Sequence, residues 1–312
     1  MAKTSGLGDG FLIGGYDLSG DVASVDQISG GPALLDVTAI NKSAHERIGG
    51  LRDGDLQFTT FFNAAGSVSA PSFPATTVAQ VSTYTWPVLV TIAAGTVTSV
   101  NVNGTQVGTG DGSYLLPALG SIAVTYTGSP TWTWTAVGQE HNALTLLPRT
   151  DTIATYLRGT TIGNPAACVN GKQVSYDPTR DNSGALTTKV EVQANGFGLE
   201  WGIQVTAGLR TDTVATTGTA FDLGAGSTNG AQAYLQLVDF AGTSVDVKVR
   251  HCTTTGGTYA DLIDFGSQTA IGAFRGTVTG TVNEFLKVVT SGTFTYATFN
   301  VVFVQNASVV NF

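Results

Sequence analysis

Apolar and polar residues alternate with a period of two along much of this chain, as in strands that bury one face. Val245, Val247 and Val249 alternate with charged residues, and Phe299 and Val301 lie in a similar run. Such segments, separated by Gly-Thr turns, predict a C-terminal β-sandwich at residues 218–312. The six candidate strands are 231–240, 244–252, 259–264, 270–278, 285–290 and 297–304.

The distribution of charge divides the rest of the chain. Residues 67–136 contain no Lys or Arg and a single acid, Asp111, whereas residues 218–312 hold four basic and six acidic residues. Of the 14 basic and 22 acidic residues in total, ten and fifteen therefore remain for 1–66 plus 137–217. We expect a discontinuous core domain at 1–66 and 137–217, with a small β-sandwich inserted at 67–136. Within the insert, Asn103-Gly104 predicts a type I′ hairpin, which needs positive φ at both positions.

Residues 35–63 combine several local signals. Alternation at Leu35 and Val37 predicts a strand, and Ser43-x-x-Glu46 has the spacing of a capping box at the start of a short helix. Gly49-Gly50 then predicts the end of that helix, and Asp53-Gly54 predicts a turn into a second strand that begins near Leu56.

Another alternating run follows residues 177–184, which have the composition of a long hairpin loop. In this run Leu186, Thr188, Val190 and Val192 alternate with Thr187, Lys189, Glu191 and Gln193. The pattern predicts a strand with one apolar and one polar face.

Composition supports an all-β fold with one or two short helices. The 312 residues include 40 glycines, and only 12% of residues are charged, which favours many short strands joined by tight turns. The net charge of −8 argues against a protein that grips nucleic acid, because phosphate binding needs clustered Lys and Arg. We expect neither a signal peptide nor a membrane span, since the chain lacks the apolar runs that both require.

No residue pattern indicates catalysis, and we predict no catalytic, cofactor-binding or metal-binding residues. Each of the three histidines has a potential ligand as its chain neighbour, but adjacent side chains point in different directions. Cys168 and Cys252 are expected to be buried as small apolar residues. Acidic residues around 53–55 and 177–184 lack the ligand spacing of an EF-hand loop. Carboxylates that converge from distant strands stay possible, although no feature of the sequence favours them.

Two tryptophans in the insert permit a different kind of site. Trp132 and Trp134 share one face of a predicted strand, as a sugar-stacking platform would require. Core aromatics of a small sandwich have the same spacing, and this is the simpler interpretation.

A short motif within residues 35–63 resembles the x-G-L-x-D-G turn of major tail tube proteins of long-tailed bacteriophages. It consists of Arg47, Gly50, Leu51, Asp53 and Gly54. The likeness continues between residues 141 and 213. There the runs HNALTLLPRTDTIATYLRG and LRTDT look like tail proteins of actinobacterial phages.

The resemblance implies a non-enzymatic virion protein that is made in the host cytoplasm and assembles with itself. Stacked rings, hexameric in that family, would form the tail tube through which DNA is ejected, with tape-measure and tail-terminator proteins as partners. DNA would only pass through, and an acidic lumen would discourage its adsorption. The strand with Leu186, Thr188, Val190 and Val192 would then be a wall strand. The candidate ring-to-ring contact consists of Asp177, Pro178, Thr179, Arg180, Asp181 and Asn182.

Two other interpretations stay open. A capsid decoration or tail-terminator protein would also be rich in β-structure. A carbohydrate-binding or receptor-binding module would use the outer sandwiches, with Trp132 and Trp134 as its contact residues.

Overall fold

The computed structural model describes residues 8–63, 66–84, 87–117, 119–136, 139–145 and 151–308. Their regular structure is almost entirely β-strand, so the fold is all-β. The first strands are β1 (Gly10–Ile13), β2 (Tyr16–Asp17), β3 (Val22–Asp36), β4 (Arg47–Phe61), β5 (Gly66–Val68), β6 (Ala79–Val81), β7 (Val88–Ala93), β8 (Thr96–Val102), β9 (Thr105–Gly108), β10 (Gly112–Leu116), β11 (Ser121–Thr127) and β12 (Thr131–Ala136). A short helix α1 (Gln139–Leu144) precedes β13 (Thr152–Leu157), β14 (Pro165–Arg180), β15 (Leu186–Ala194), β16 (Glu200–Gln204), β17 (Arg210–Asp212), β18 (Phe221–Asp222), β19 (Ala231–Cys252), β20 (Ala260–Gln268), β21 (Gly272–Val278) and β22 (Phe285–Gln305).

The chain divides into two compact units, residues 63–142 and the combination of 1–62 with 143–312. The smaller unit contains the region expected as an insert at 67–136. Two four-stranded sheets, β10-β7-β12-β5 and β6-β11-β8-β9, provide the residues of a single apolar cluster. Its β8–β9 turn has φ angles of 49° at Asn103 and 81° at Gly104, the positive values that the Asn-Gly pair predicts.

The core of this smaller unit contains both tryptophans of the suggested sugar platform. Trp132 and Trp134 are only 9% and 2% exposed, and their ring centroids lie 5.4 Å apart in an edge-to-face arrangement. The indole Nε1 of Trp132 donates a hydrogen bond to the Pro71 carbonyl at 2.8 Å. A sugar cannot stack on buried rings, so the platform interpretation is wrong and these residues are core.

The larger unit is built on a 14-stranded sheet with the main order β2-β1-β13-β14-β16-β22-β19-β20. Its longest pair is β19 and β22, which stay in register apart from shifts near Leu237 and Gly242. The sequence predicts two strands in the place of β19 and two in the place of β22. Each is instead one continuous strand that bends at the bulges, because a bulge adds twist without ending the ladder. The six strand candidates of residues 231–304 are therefore four strands, β19 to β22.

Residue 218, the expected start of a separate C-terminal domain, does not mark a boundary between compact units. Strand β16 pairs with β14 on one side and with β22 on the other. One apolar cluster also takes Leu12, Ile153 and Cys168 from the expected core domain and Tyr234 and Val302 from the expected C-terminal sandwich. The two regions share one sheet and one core.

Asp239 gives this unit a pH-dependent stability. It lies at the register shift in β19, and burial raises its carboxyl pKa to about 6, although Tyr296 donates a hydrogen bond to it. Because this value exceeds the ordinary 3.8, the contribution of Asp239 to stability is largest below pH 3.8 and declines as the pH rises through about 6.

We expect Asp239→Asn to stabilise the protein by on the order of 2 kcal/mol above about pH 7. Near pH 3 the variant should match wild type, since the side chain at position 239 is then largely neutral in both proteins, folded and unfolded. Urea unfolding at the two pH values measures the difference, with the exposed Asp222→Asn as control. A variant with the same pH profile as wild type would contradict the assignment.

Candidate functional site: an open sheet and its arm

Four strands of the larger unit form an antiparallel array in the order β3-β4-β15-β14. We call β3, β4, β15 and residues 172–180 of β14 the open sheet. One face is apolar, with Leu56, Phe58, Val190 and Val192 buried in a core cluster. The other face is polar and faces no described part of this unit's core. Residues that pair across the four strands form three rows on this polar face. The rows are Ser24, Thr59, Lys189 and Asp177, then Gln27, Gln57, Glu191 and Ser175, then Ser29, Asp55, Gln193 and Lys172.

The polar face carries more acids than bases. The carboxylates of Asp55, Asp177 and Glu191 lie there, and a fourth, Asp26, accepts a hydrogen bond from Thr59 at 2.6 Å. Against these four acids stand the two lysines, Lys172 and Lys189, so the residues of the three rows together with Asp26 have a net charge of −2. Glutamine side chains hold the pattern in place, as when Gln57 Nε2 donates to Asp55 at 2.9 Å.

Within the described residues, neither edge of the open sheet pairs with a further strand, although Gln173 and Tyr176 on the β14 edge have other partners. There, no strand pairs with β3 on the side away from β4. Gly171 in β14 is paired on both sides, with Thr152 and with Ala194, but residues 172–180 pair only with β15. A sheet edge that pairs with no further strand can template strand addition.

The distal part of the β3–β4 hairpin forms an arm, residues 31–52. Its strands pair with each other, whereas the pairing of β4 with β15 covers only residues 55–61. Six of the seventeen strongly exposed large apolar side chains in the described residues belong to this arm, with Ile40 fully exposed and Leu51 88% exposed. The six are Leu34, Leu35, Val37, Ile40, Ile48 and Leu51. A concentration of exposed apolar side chains marks an interaction surface.

The capped helix expected at Ser43–Glu46 is not formed. Residues 37–46 are the irregular end of the arm, where Asp36 accepts hydrogen bonds from Thr38 N and from His45 Nδ1 at 2.9 and 2.8 Å. These bonds hold the pKa of Asp36 below its ordinary value, with Thr38 as the larger cause. A very short helix is marginal by itself, whereas the flanking strands gain a full ladder of hydrogen bonds.

The residues of the tail-tube motif lie in strand β4, so the predicted helix end at Gly49-Gly50 and turn at Asp53-Gly54 are also wrong. Arg47, Gly50 and Leu51 belong to the arm, and Asp53 and Gly54 form its base opposite Gly31 and Gly30. Sequence alone could not distinguish a helix end or turn from a strand here, because glycine and aspartate favour turns as well as close backbone contacts.

The glycines at the base of the arm make room for Leu199. A Cβ on Gly54 would lie 2.5 Å from Leu199 Cβ and from its backbone N, and one on Gly30 would lie 2.6 Å from Leu199 Cβ. These distances are shorter than any normal contact. Leu199 therefore packs directly on the hairpin backbone and fixes where the arm leaves the core.

Glu200, the next residue, connects the arm to a buried polar network. Its side chain is 1% exposed and accepts hydrogen bonds from Gln232 Nε2 at 2.9 Å and from the Tyr234 hydroxyl. Arg275, 7% exposed, lies 3.3 Å from the carboxylate, and the partly exposed Arg52 of the arm lies 3.9 Å away. Burial and the Glu200 charge raise the pKa of Tyr234. No sequence pattern indicated this network, because its members lie far apart along the chain.

The candidate ring-to-ring loop is shorter than expected. Asp177, Pro178, Thr179 and Arg180 belong to β14 rather than to a loop, and the turn comprises residues 181–185. Asp181 closes this turn by accepting hydrogen bonds from Ser183 Oγ and Ala185 N at 2.6 and 3.0 Å, which lower its pKa. The expected wall strand is β15, with Leu186 partly exposed and Thr188, Val190 and Val192 buried.

The hairpin turn at 181–185 and the arm tip lie at opposite ends of the open sheet. Residue Thr187, next to the turn, pairs with Phe61, whereas Gln193 pairs with Asp55, on the side of the arm. A subunit with this layout offers contacts at both ends of the same sheet.

The remaining candidates for chemistry are the two cysteines and possible clusters of metal ligands. Burial raises the pKa of the Cys168 thiol, and Cys252 is also buried without a disulfide. Within the described residues, no group of three or more His, Cys, Asp or Glu side chains is placed to hold a metal ion. None of the described helices is long and apolar enough to cross a membrane. Residues 146–150, part of the run that resembles phage tail proteins, lie outside the described residues.

No protein-family model and no curated protein matches the sequence. Among solved structures the chain is similar to the SPP1 Dit protein (gp 19.1), described as a paradigm of the hub adsorption apparatus in phages that infect Gram-positive bacteria. The alignment covers 95% of this chain and 99% of the Dit chain at 9% identity, with a TM-score of 0.29. A score this low does not assign the chain to a family.

The packing of Leu199 can be tested with two glycines of the same strand. We expect Gly54→Ala to destabilise the protein by about 1–3 kcal/mol, because the added methyl must displace Leu199 backbone atoms. Gly49→Ala is the matched control, since its Cβ would meet only Pro32 at 3.5 Å. Chemical unfolding compares them, and equal stability of the two variants would contradict this packing.

The buried ion pair makes a second prediction. We expect Glu200→Gln to cost about 3 kcal/mol or more, because it removes the carboxylate that pairs with the buried Arg275 cation. Arg52→Ala should cost less than about 1 kcal/mol, since Arg52 is half exposed and its contact is screened by solvent. Thermal unfolding at neutral pH measures both, and a harmless Glu200→Gln change would show that the network does not stabilise the fold.

Proposed function

We propose that this chain is a structural subunit of a phage tail that polymerises through the open sheet and the arm into stacked rings of a tail tube. The observation that carries the proposal is a sheet with one face on the core, a polar outer face and two edges that pair with no further described strand. The tail-tube resemblance of Arg47, Gly50, Leu51, Asp53 and Gly54 supports the same role.

The strand directions suit ring closure. Because the open sheet has four antiparallel strands, its edge strands β3 and β14 run in opposite directions. A neighbour's β14 placed beside β3 would therefore continue the sheet in antiparallel fashion. Such a head-to-tail contact uses two different edges and closes into a ring when the rotation allows it. Closure into a barrel removes every free edge.

In such a ring the polar face would line the lumen. The net charge of −2 that its three rows and Asp26 carry in each subunit repeats around each ring, which would repel phosphate groups and favour passage of DNA over adsorption. The apolar arm would then pack on a neighbouring subunit, with the turn at residues 181–185 facing the opposite ring. Tape-measure and tail-terminator proteins would be the further partners, and this role requires no catalysis.

Self-assembly of the purified full chain tests the proposal. Wild type should form rings or hollow tubes in negative-stain electron microscopy and sediment as large species. Ile40→Asp and Leu51→Asp should abolish these species without unfolding the monomer, because both side chains are exposed. Val214→Asp is the matched control, an exposed apolar residue of the same unit outside the arm, and it should assemble normally.

Hydrogen exchange then separates edge pairing from contacts of the arm alone. Amides of residues 22–36 and 172–180 should gain protection on assembly, whereas those of β20, at the far end of the sheet order, should not. A chain that stays monomeric or trimeric at high concentration would overturn the proposal and favour a decoration protein. Assembly without added protection of either edge would also contradict it.

A further inference from the structure

A shallow, open cavity with a mixed polar and apolar lining lies in the larger unit, well separated in sequence from the open sheet. It has a volume of about 720 Å³, within the range of about 300–1,000 Å³ typical of small-molecule sites. Three turns and the end of β22 surround it. Its lining includes Thr228, Thr253, Thr281, Asn283, Glu284 and Asn306.

Several lining side chains have unused hydrogen-bonding capacity. Within the described residues, the hydroxyls of Thr228, Thr253 and Thr281, the Asn283 amide and the Glu284 carboxylate have no hydrogen-bond or ion-pair partner. Asn283 and Glu284 are also partly buried. These groups provide donors and acceptors close together on one concave surface.

The cavity wall is held by backbone and amide bonds, so it is formed without a ligand. Ser227 and Val282 exchange backbone hydrogen bonds at 2.8 and 2.7 Å. Asn229 Nδ2 donates to the Ala307 carbonyl at 2.8 Å, and Asn306 Nδ2 donates to the Asn229 carbonyl at 3.2 Å. The Asn283 N–H donates to His251 Nδ1 at 3.1 Å, which positions the backbone of Asn283. A wall fixed in advance lowers the entropy cost of binding.

The charge of the lining selects the class of ligand. Among the described residues that line the cavity there is no Lys, Arg or His, and Glu284 is the one charged residue. Phosphates and carboxylates therefore meet no cation and are repelled by Glu284. A neutral polyhydroxylated ligand suits amide, hydroxyl and carboxylate groups, which exchange hydrogen bonds with neighbouring hydroxyls.

We propose that this cavity is a binding site for a neutral sugar unit. The site does not depend on the assembly proposal, and it differs from the tryptophan pair of the smaller unit. None of its lining residues in the described part of the chain is aromatic. Binding there therefore rests on hydrogen bonds, and a monosaccharide should bind with a Kd in the millimolar range.

The experiment titrates isotopically labelled full-length protein with galactose, N-acetylglucosamine and glucuronate and follows side-chain amide signals by NMR. At least one neutral sugar should shift the Asn283 side-chain resonances saturably, whereas glucuronate should not. Thr281→Val and Asn283→Ala should each weaken binding about fivefold, the effect of one lost hydrogen bond. Asn195→Ala, an exposed amide outside the cavity, should leave the affinity unchanged.

The carboxylate gives a second readout. Glu284→Gln preserves shape and removes the charge, so it should raise the affinity for glucuronate relative to the neutral sugar. The proposal is overturned if neither neutral sugar shifts the Asn283 signals, if Thr281→Val and Asn283→Ala bind like wild type, or if glucuronate binds as well as the neutral sugars.

Discussion

The burial of one carboxylate, Glu200, constrains the architecture of the larger unit. A charge placed this deeply is tolerated only when paired and hydrogen-bonded, and Arg275, Tyr234 and Gln232 supply those partners from β21 and β19. Strand β16, which carries Glu200, pairs with β14 and with β22. The network therefore lies where the strands of residues 8–62 and 151–212 meet those of residues 231–305, and it requires them to fold together.

That connection explains why the arm has a defined origin. Leu199 packs on the hairpin at Gly30 and Gly54, while Glu200 reaches the fixed network beside it. The arm carries six exposed apolar side chains, which would be a liability on a mobile loop. Anchoring its base fixes the place from which the arm and its side chains leave the core, as an assembly contact would require.

Several features could be predicted from the residues. The alternation at Val245, Val247 and Val249 follows from strand geometry, and the Asn103-Gly104 turn follows from the φ angles that the two residues tolerate. The arm could not be predicted, because Ser43, Glu46, Gly49 and Gly50 fit a capped helix as well as they fit a hairpin. Local sequence signals decide such a case poorly, because the hydrogen bonds that compete with the helix come from pairing of β3 with β4 along the hairpin. The role of Gly54 depended on Leu199, which lies 145 positions away along the chain.

The sequence by itself determined the fold class, the neutral insert and the absence of a recognisable catalytic motif, since these depend on composition and on short-range periodicity. The tertiary structure was needed to show that residues 218–312 share a sheet and a core with the preceding region, that Trp132 and Trp134 are buried, and that β3 and residues 172–180 of β14 pair with no further described strand. Those outcomes depend on pairing between residues far apart in the chain. The physical reason is that strand order and buried ion pairs are set by contacts that local periodicity does not encode.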